Sequence, residues 1–299
     1  MVNLSILTRK NIELSLEVVS VIIVTWNSEK EISNCLSSLR NDLEVIVVDN
    51  CSQDRTKEIV RKRFPNVKLL ENPSNLGFAE ANNRGIRVAK GEYILLLNPD
   101  TVVREGSIEK MVEFMNTHPD VGVIGPKLLN RDGSIQPSCR EFPSYKNILF
   151  ELTGIPRVFP RLSLWRMGYF NHNTLREVDQ PMGACLLIRR DLLREIGGFD
   201  ETFPIFMNDV DLCYRIKNRG WKVLFFPEAE VFHFKGKSTQ RLKARKIIIA
   251  HRSLYQYFKK HKKPPFIIDA LIGGILLFTA LLRIMFSSGL TRVDFNYTL

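Results

Sequence analysis

The side chains best suited to chemistry lie in two short acidic segments of the chain. Residues 98–100 (Asn-Pro-Asp) directly follow an apolar run at 93–97, and residues 208–211 (Asn-Asp-Val-Asp) precede a helix-like run that ends at Arg219. A carboxylate at the C-terminal end of a parallel strand lies where open α/β sheets bind ligands. A second carboxylate in the same crevice can hold a metal or act as a general base. The pair therefore predicts an enzyme that acts on a phosphorylated donor.

Asp100 is the better candidate for a metal ligand. Mg²⁺ and Mn²⁺ take oxygen ligands and share their coordination shell with substrate phosphates, so one or two protein carboxylates suffice. His233, which follows a candidate strand, offers an imidazole as a further ligand, although a lone histidine more often has a structural role. The alternative for Asp100 is a plain turn at a strand end, because Asn-Pro is a turn signal.

Asp209 and Asp211 lie near the start of the predicted helix, and two roles fit them. Either carboxylate can cap the helix or place favourable charge in its first turn. One of them can instead be the base that deprotonates an acceptor hydroxyl.

Asp49 ends another predicted strand, where a carboxylate can accept hydrogen bonds from a nucleotide base or ribose. Residues 50–54 are rich in turn formers, so a turn or cap role is the alternative. Beside the other acidic segments, nucleotide contact is favoured.

Two common phosphate-binding motifs do not fit the sequence. Residues 236–238 (Gly-Lys-Ser) resemble the end of a P-loop, but Val231 occupies the position of its first glycine. No Gly-x-Gly-x-x-Gly opens a helix after any predicted strand, so a dinucleotide site is not supported.

The acidic segments need a scaffold that brings strand ends together, and the sequence predicts one. Continuous apolar runs of the kind found in strands buried on both faces alternate with helical patterns. Strands are predicted at 18–25, 44–48, 67–70, 93–97, 121–125, 184–189 and 223–226, and helices at 29–39, 54–63, 78–89 and 106–117. This alternation indicates βαβ units and a mainly parallel sheet. Residues 131–181, with little periodicity, predict loops and short helices that shape a substrate site.

The net charge of +11 is concentrated in one stretch near the C-terminus. Between Val231 and Ile268 the chain has eleven Lys and Arg and no Asp or Glu, and this stretch runs into the apolar segment 266–286. Basic residues beside an apolar helix are typical of a chain held at an anionic cytoplasmic membrane surface. Nucleic-acid binding is disfavoured, because no nucleic-acid-binding motif accompanies the charge. A merely solvated basic face is the other alternative.

Segment 266–286 is borderline as a membrane span. About 20 apolar residues are needed to cross the hydrocarbon, and Asp269 and Arg283 interrupt this segment near its ends. A spanning helix, an in-plane or re-entrant helix and a soluble core helix all remain open. The five scattered cysteines contain no Cys-x-x-Cys pair, which fits a reducing cytosol rather than a disulfide scaffold or a zinc site. We expect no signal peptide, because no apolar stretch with a cleavage site follows the basic residues 9 and 10.

In their order and spacing, several segments together resemble family 2 glycosyltransferases with the GT-A fold, of the rhamnosyltransferase-like branch. The resemblance covers residues 18–238. Each matching segment is weak alone, and the ordered set is specific. The segments are 21–27, 47–50, 75–79 with Asn83 and Gly85, 97–100, 183–185, 197–201, 208–212 and 233–238.

The resemblance implies an inverting transfer of a sugar from a UDP- or dTDP-sugar, such as dTDP-rhamnose, to a hydroxyl of a saccharide acceptor. It implies Mg²⁺ or Mn²⁺ as cofactor, held by Asp100 and His233, and Asp209 as the catalytic base. The residues implied at the nucleotide sugar are Thr25, Asn27, Asp49, Asn83, Asn98 and Asp100. Those implied at the acceptor, or behind the groups that bind it, are Gly183, Ala184, Asn208 and Asp211.

Two departures from the family pattern support one rival interpretation. Asn98 replaces the first acid of the Asp-x-Asp motif, and Asn208 replaces the acid before the base. A non-catalytic nucleotide- or sugar-binding module on the same fold is therefore a rival. A nucleotidyltransferase is a second rival on other grounds, because it also combines an α/β sheet with metal-held phosphates, but the glycine-rich basic N-terminal loop that it would need is not seen.

The resemblance and the charge pattern together predict three regions. These are a polar extension at 1–17, a GT-A catalytic domain at 18–240 and a basic, apolar, membrane-associating region at 241–299. A catalytic domain at the inner leaflet would meet lipid-linked saccharides there. We therefore expect a polyprenyl-diphosphate-linked acceptor, in the assembly of a cell-surface polysaccharide.

Overall fold

A computed structural model describes residues 19–153, 155–234 and 243–287 of the chain. The predicted extension at 1–17, the P-loop-like residues 236–238 and residues 288–299 lie outside the described part. The strands are β1 (Val19–Thr25), β2 (Glu44–Asp49), β3 (Lys68–Glu71), β4 (Tyr93–Leu97), β5 (Thr101–Val103), β6 (Val121–Leu129), β7 (Ile135–Gln136), β8 (Cys139–Arg140), β9 (Arg176–Glu177), β10 (Gln180–Pro181), β11 (Cys185–Arg189) and β12 (Lys222–His233). The helices are α1 (Ile32–Ser37), α2 (Thr56–Arg63), α3 (Phe78–Val88), α4 (Ser107–Thr117), α5 (Tyr145–Leu152), α6 (Ile155–Val158), α7 (Arg190–Glu195), α8 (Asn208–Lys217), α9 (Lys243–His261) and α10 (Phe266–Ser287), with a 3-10 turn at Pro160–Leu162.

One large mixed sheet organises the fold, which confirms the predicted α/β class. Its strand order is β3-β2-β1-β4-β11-β6-β12-β5, with β7 and β9 paired at its side. Strands β1 to β4 run parallel to one another, and β12 runs parallel to β6. Strand β11 lies antiparallel between β4 and β6, so the sheet is less uniformly parallel than the simple βαβ rhythm suggests.

Alternate side chains of the central strands enter two apolar clusters on opposite faces of the sheet. In β1, Val21 and Ile23 belong to one cluster and Ile22 to the other. Because both faces are covered, the strand reads as a continuous apolar run instead of an alternating one. Helix α3 packs closely on this strand at Gly85, where an added Cβ would lie 2.6 Å from Ile22 Cγ2.

Strand β12 is longer than the predicted 223–226 and reaches His233. Its pairing with β6 shifts register between Phe226 and Glu230, which is a bulge around Pro227. The proline and the acidic residues after it resemble a strand end, but the bulge absorbs them and the ladder resumes. The extension matters for function, because it places His233 opposite Thr101 of β5.

Helices α9 and α10 form an antiparallel pair that packs on a third apolar cluster. Tyr257 and Phe258 of α9 are buried in this cluster together with Trp165 and Met207, and Ile272 of α10 packs against it. Among the helices in the described part of the chain, none combines the length and apolar character needed to cross a membrane.

Candidate active site

The first acidic segment and His233 meet at the ends of β4, β5 and β12. Asp100 lies between β4 and β5, and the β5–β12 register brings His233 opposite Thr101. His233 Nε2 is 3.5 Å from Asp100 Oδ1, and the Phe234 amide donates to the Asp100 carbonyl at 2.9 Å. The fold therefore places the carboxylate and the imidazole predicted to share a metal side by side.

Gln136 orients the His233 ring. The Gln136 amide nitrogen donates to Asn130 Oδ1 at 2.8 Å, so its Oε1 is the acceptor that faces His233 Nδ1 at 2.7 Å. The Nδ1 atom then carries the proton, and in the neutral imidazole the Nε2 lone pair faces the Asp100 carboxylate. Two electron-pair donors that face each other fit a shared cation, and a fixed tautomer is typical of a metal-binding histidine.

The carboxylate of Asp100 and the imidazole of His233 suit a cation whose remaining ligands come from substrate phosphates. No cluster of three or more His, Cys, Asp or Glu in metal-binding arrangement occurs among the described residues. One carboxylate and one imidazole suit Mn²⁺ or Mg²⁺ when phosphate oxygens supply further ligands. Burial, and to a smaller extent the negative charge of Asp100, raise the pKa of Glu31. The carboxyl of Glu31 therefore lies close enough to Asp100 for the two charges to interact.

Asp49 and Thr25 brace the loop that follows β2. Asp49 has no exposed surface, and its two oxygens accept from Thr25 Oγ1 at 3.0 Å and from the Ser52 amide at 2.8 Å. Asn27 is exposed with a φ of 54°, and its Oδ1 accepts the Gln53 amide at 2.8 Å. Asn27 is thus the member of this group that presents surface to a ligand, and nucleotide contact by Asp49 remains a prediction.

Asn83 clamps the glycine-rich segment 197–201 onto helix α3. Its Nδ2 donates to the Phe199 carbonyl at 2.9 Å, and its Oδ1 accepts the Phe199 amide at 2.8 Å. Gly198 has a φ of +71°, and an added Cβ there would lie 2.5 Å from Asn83 Oδ1. The match of both segments to the family pattern therefore has a structural explanation, and a donor contact by Asn83 stays a prediction.

The predicted base, Asp209, lies in the first turn of α8 and is 8% exposed. Its Oδ2 accepts from Gln180 Nε2 at 2.8 Å and from the Gly183 amide at 3.0 Å, and its Oδ1 accepts the Val210 amide at 2.9 Å. A carboxylate oxygen has two lone pairs, so Oδ1 retains one for an acceptor hydroxyl. An added Cβ at Gly183 would lie 3.1 Å from Asp209 Oδ2, so the close approach favours glycine.

Burial sets the proton affinity of this carboxyl. Desolvation raises the pKa of Asp209 above its ordinary value, while the backbone hydrogen bonds from Gly183 and Val210 oppose part of that shift. A raised carboxyl pKa moves the group toward the range in which a general base works best.

The segment 183–184 connects the two acidic segments. The Asn98 amide donates to the Ala184 carbonyl at 2.9 Å, and the neighbouring Gly183 amide donates to Asp209. Two consecutive residues just before β11 therefore touch the metal-side segment and the base. The inference that both segments serve one crevice matches this geometry.

Asn208 supports the start of α8. The preceding residue, Met207, has a left-handed φ of 66°. Asn208 Nδ2 donates to the Ile205 carbonyl at 2.7 Å, and its Oδ1 accepts the Asp209 amide at 2.6 Å. The amide thus uses both a donor and an acceptor, which a carboxylate cannot do, so the departure from an acid here fits its local role.

Asp211 faces the C-terminal helix α9 and has no exposed surface. Its carboxylate accepts from Arg215 Nε at 2.7 Å, Lys260 Nζ at 2.6 Å and His261 Nε2 at 2.7 Å. Asp211 therefore joins the helix of the base to α9, and the described structure shows no acceptor-facing surface on it.

Asp209 shares a narrow cleft with residues from the irregular segment 131–181. Arg140 and Trp165 line it. The other lining residues are Ser138, Gln180, Met182, Met207 and Val210. Arg140, Trp165 and Gln180 were not predicted individually, because they lie on a two-residue bridge and a loop without periodicity. The only signal in the sequence was the composition of the segment as a whole.

Comparison with known proteins agrees with this architecture. The family model for glycosyl transferase family 2 matches residues 20–197. An N-acetylglucosaminyl-diphospho-decaprenol L-rhamnosyltransferase of Mycobacterium tuberculosis is 33% identical over 80% of this chain and 83% of its own length. A low-salt glycan biosynthesis hexosyltransferase of Haloferax volcanii is 28% identical over 68% of this chain and 62% of its own length.

Two solved structures share the fold at low sequence identity. A mannosyltransferase from Pyrobaculum calidifontis in complex with GDP-Man and Mn²⁺ has a TM-score of 0.57 at 19% identity, over 96% of this chain and 84% of that one. S. aureus TarS in complex with UDP-GlcNAc has a TM-score of 0.53 at 19% identity, over 87% of this chain and 71% of that one. These likenesses establish the GT-A fold.

Proposed function

Because the chain belongs to glycosyl transferase family 2, we propose that it moves a sugar from a nucleoside diphosphate to a hydroxyl of a lipid-linked saccharide. The observation that carries this proposal is the braced, buried carboxylate of Asp209, joined through residues 183–184 to the Asp100 segment. The rhamnosyltransferase relative supports a lipid-diphosphate acceptor and makes dTDP-rhamnose the first donor to test.

Asp209 acts as the general base in this proposal. Its Oδ1 takes the proton of the acceptor hydroxyl while the hydroxyl oxygen forms a bond to the anomeric carbon of the donor. The bond from that carbon to the diphosphate breaks on the opposite face, and its electron pair leaves with the nucleoside diphosphate. Gln180 and Gly183 hold the carboxylate in place through Oδ2, so little reorganisation accompanies proton transfer.

Asp100 and His233 lie on the side of the site that binds the nucleotide-sugar donor in this proposal. A divalent cation bound there supplies charge stabilisation for the leaving diphosphate. Gln136 fixes the His233 ring so that Nε2 faces Asp100. Thr25, Asn27, Asp49, Asn83 and Asn98 form the nucleotide-sugar side in this proposal. Asn27 presents exposed surface to the nucleotide, and Thr25, Asp49 and Asn83 also hold the surrounding loops through their hydrogen bonds.

The helix pair α9–α10 holds the enzyme at an anionic membrane surface in this proposal. Asp269 of α10 is turned toward α9, where it accepts Tyr255 Oη at 3.0 Å. The opposite side of α10 exposes large apolar side chains, with Ile267 at 81% and Leu271 at 62%, and Phe266 at the first position of the helix is 85% exposed. Exposed lysines 259, 262 and 263 lie at the turn between the helices, and each basic residue near an anionic leaflet contributes about 1 kcal/mol. This arrangement supports a helix lying in the plane of the cytoplasmic leaflet.

A donor screen followed by a transfer assay tests the proposal. The full chain is heated with UDP, dTDP or GDP, each with Mn²⁺, Mg²⁺ or excess chelator, and the melting temperature is recorded. A ligand at 100 times its dissociation constant stabilises the fold by about 2.7 kcal/mol, so we expect a clear upward shift for one nucleotide with metal.

The matching nucleotide sugar is then incubated with a short-chain lipid-diphosphate saccharide. Formation of a lengthened saccharide with inverted anomeric configuration supports the proposal. Nucleotide binding without transfer or donor hydrolysis would instead favour the non-catalytic module, and release of pyrophosphate from a nucleoside triphosphate would favour a nucleotidyltransferase.

A further inference from the structure

The cleft beside Asp209 contains a cation that has no anionic partner among the described residues. Strand β8 pairs with β10 so that Arg140 lies opposite Gln180, the residue that bonds the base. Arg140 Nη1 donates to the Cys139 carbonyl at 2.8 Å, and no carboxylate of the described chain lies within ion-pair distance of its guanidinium. Asp209 and Glu151 act on it only through longer-range attraction.

Arg140 is half-buried, and this partial desolvation makes its unpaired charge costly. Desolvation lowers the pKa of Arg140 to about 10, and the neighbouring charge of Arg166 adds to that effect. Arg166 itself lies 3.4 Å from the Glu151 carboxylate, so its charge is compensated by an ion pair, whereas the charge of Arg140 is not. A guanidinium has five N–H donors, and a desolvated charge is stable only when it is paired. Arg140 therefore has donors and charge available for a ligand anion.

A second donor in the same cleft also lacks an acceptor. Trp165 lines the cleft and is 5% exposed, and its buried indole N–H has no hydrogen-bond partner within the described residues. A buried N–H without an acceptor costs free energy. The Ser138 hydroxyl lines the same cleft and also lacks a hydrogen-bond partner within the described residues. These unsatisfied donors beside a general base indicate a ligand that carries anionic oxygens.

We propose that Arg140, with the indole N–H of Trp165, binds the diphosphate that joins the acceptor saccharide to its lipid. This inference rests on the proposed function, because it assigns a subsite for that acceptor. The acceptor hydroxyl must enter this cleft to reach Asp209, and the diphosphate is attached to the same saccharide. The planar fork of arginine matches phosphate oxygens in bidentate geometry.

A binding experiment tests the subsite without needing transfer. Farnesyl diphosphate and farnesol are titrated into the full chain with Mn²⁺ and saturating UDP and dTDP, so that the donor side is occupied. The variants are Arg140→Gln, Arg140→Lys and Trp165→Phe. Arg194→Gln is the matched control, since it removes the same charge from an exposed site on α7, where the side chain is 58% exposed.

Hydrogen bonds to charged groups contribute about 1.5–3 kcal/mol, so Arg140→Gln should weaken farnesyl diphosphate binding by about 10- to 100-fold. Arg140→Lys keeps the charge but loses the fork, so we expect an intermediate loss. Trp165→Phe keeps an aromatic side chain without the N–H and should weaken binding by a smaller factor, about 2- to 10-fold, for one neutral hydrogen bond. Farnesol binding and the Arg194→Gln variant should show no change.

Equal affinity of the wild type and a folded Arg140→Gln variant for farnesyl diphosphate would overturn the inference. So would binding of inorganic pyrophosphate as tight as that of farnesyl diphosphate, which would indicate a free-anion site. A thermal melt of each variant separates loss of the subsite from loss of the fold, and Trp165→Phe provides a second test if Arg140→Gln unfolds.

A transfer assay separates this inference from the proposed function. With N-acetylglucosaminyl diphosphate on a short prenyl chain as acceptor, Arg140→Gln should raise KM. With a neutral alkyl N-acetylglucosaminide, the same variant should match the wild type. Equal KM changes on both acceptors overturn the subsite and leave the function standing, whereas absence of transfer to either acceptor by the wild type counts against the function.

Discussion

Replacing Asp211 with asparagine tests how the C-terminal helix is fixed to the helix of the base. The Asp211 carboxylate is fully buried and accepts from Arg215, Lys260 and His261. Breaking a buried ion pair by removing one partner costs about 3–5 kcal/mol, because the remaining charges are left uncompensated. The Lys260 side chain is 34% exposed, so water screens its share, and we expect the lower end, about 3 kcal/mol.

The contacts of Asp211 with these three basic side chains also predict how stability depends on pH, with a definite sign. Burial alone would raise the pKa of Asp211, but His261, Arg215 and Lys260 together outweigh burial and hold that pKa below its ordinary value. The ionised carboxylate thus contributes its full stability above the unfolded-state pKa of about 3.9 and loses it as the pH falls through the lower folded-state pKa. Asparagine does not titrate. The difference in unfolding free energy between the wild type and Asp211→Asn should therefore shrink as the pH falls through that acid range.

Urea denaturation followed by circular dichroism at pH 7 and at pH 3 measures this difference in unfolding free energy. At about 2–4 °C per kcal/mol, a loss of about 3 kcal/mol also lowers the melting temperature by about 6–12 °C. Asp200→Asn is the control, since it removes a half-buried partner of Lys260, and we expect a loss below about 1 kcal/mol. A loss below about 1 kcal/mol for Asp211→Asn at pH 7, or a difference that does not change with pH, would refute the reasoning.

Three further predictions concern the metal, the base and the membrane. Asp100→Ala should weaken metal-dependent binding of the nucleoside diphosphate by more than about tenfold in calorimetry, with a smaller loss for His233→Ala; full activity in excess chelator would contradict both. The transfer rate should fall as the pH drops through a value above the ordinary carboxyl pKa of about 3.9, because burial raises the pKa of Asp209. A pH–rate profile with its acid limb at or below that value would count against the base. Phe266→Asp and Leu271→Asp should reduce co-sedimentation with anionic vesicles at unchanged nucleotide binding, and unchanged sedimentation would contradict the in-plane helix.

The sheet could be predicted from the sequence because its central strands are buried on both faces. Runs such as 93–97 have no polar interruption, and the observed β4 covers the same residues. Strand β12 was predicted too short, since a bulge at Pro227 imitates a strand end and only the partner strand restores the ladder. Pairing across the sheet, and not local pattern, determined where that strand ended.

The acidic residues of the site and His233 were recognisable, but the hydrogen bonds that hold Asp209 were not. Asp100 and Asp209 stand out because each carboxylate adjoins a regular element. The contacts that hold Asp209 come from Gln180 and Gly183, which reach it only after the chain has folded. Arg140 lies on a bridge of two residues, too short for any periodicity to indicate. Side-chain partners of this kind depend on tertiary contacts between distant segments.

The measurement that tests the central claim most directly is transfer by an Asp209→Asn variant with nucleotide binding measured on the same sample. Asparagine preserves the shape of the side chain and removes the base. General acid–base catalysis contributes about 10²- to 10⁴-fold, so we predict a loss of transfer of at least about a hundredfold, with the dissociation constant of the nucleoside diphosphate unchanged. Turnover within a few-fold of the wild type in a folded Asp209→Asn variant would contradict the account.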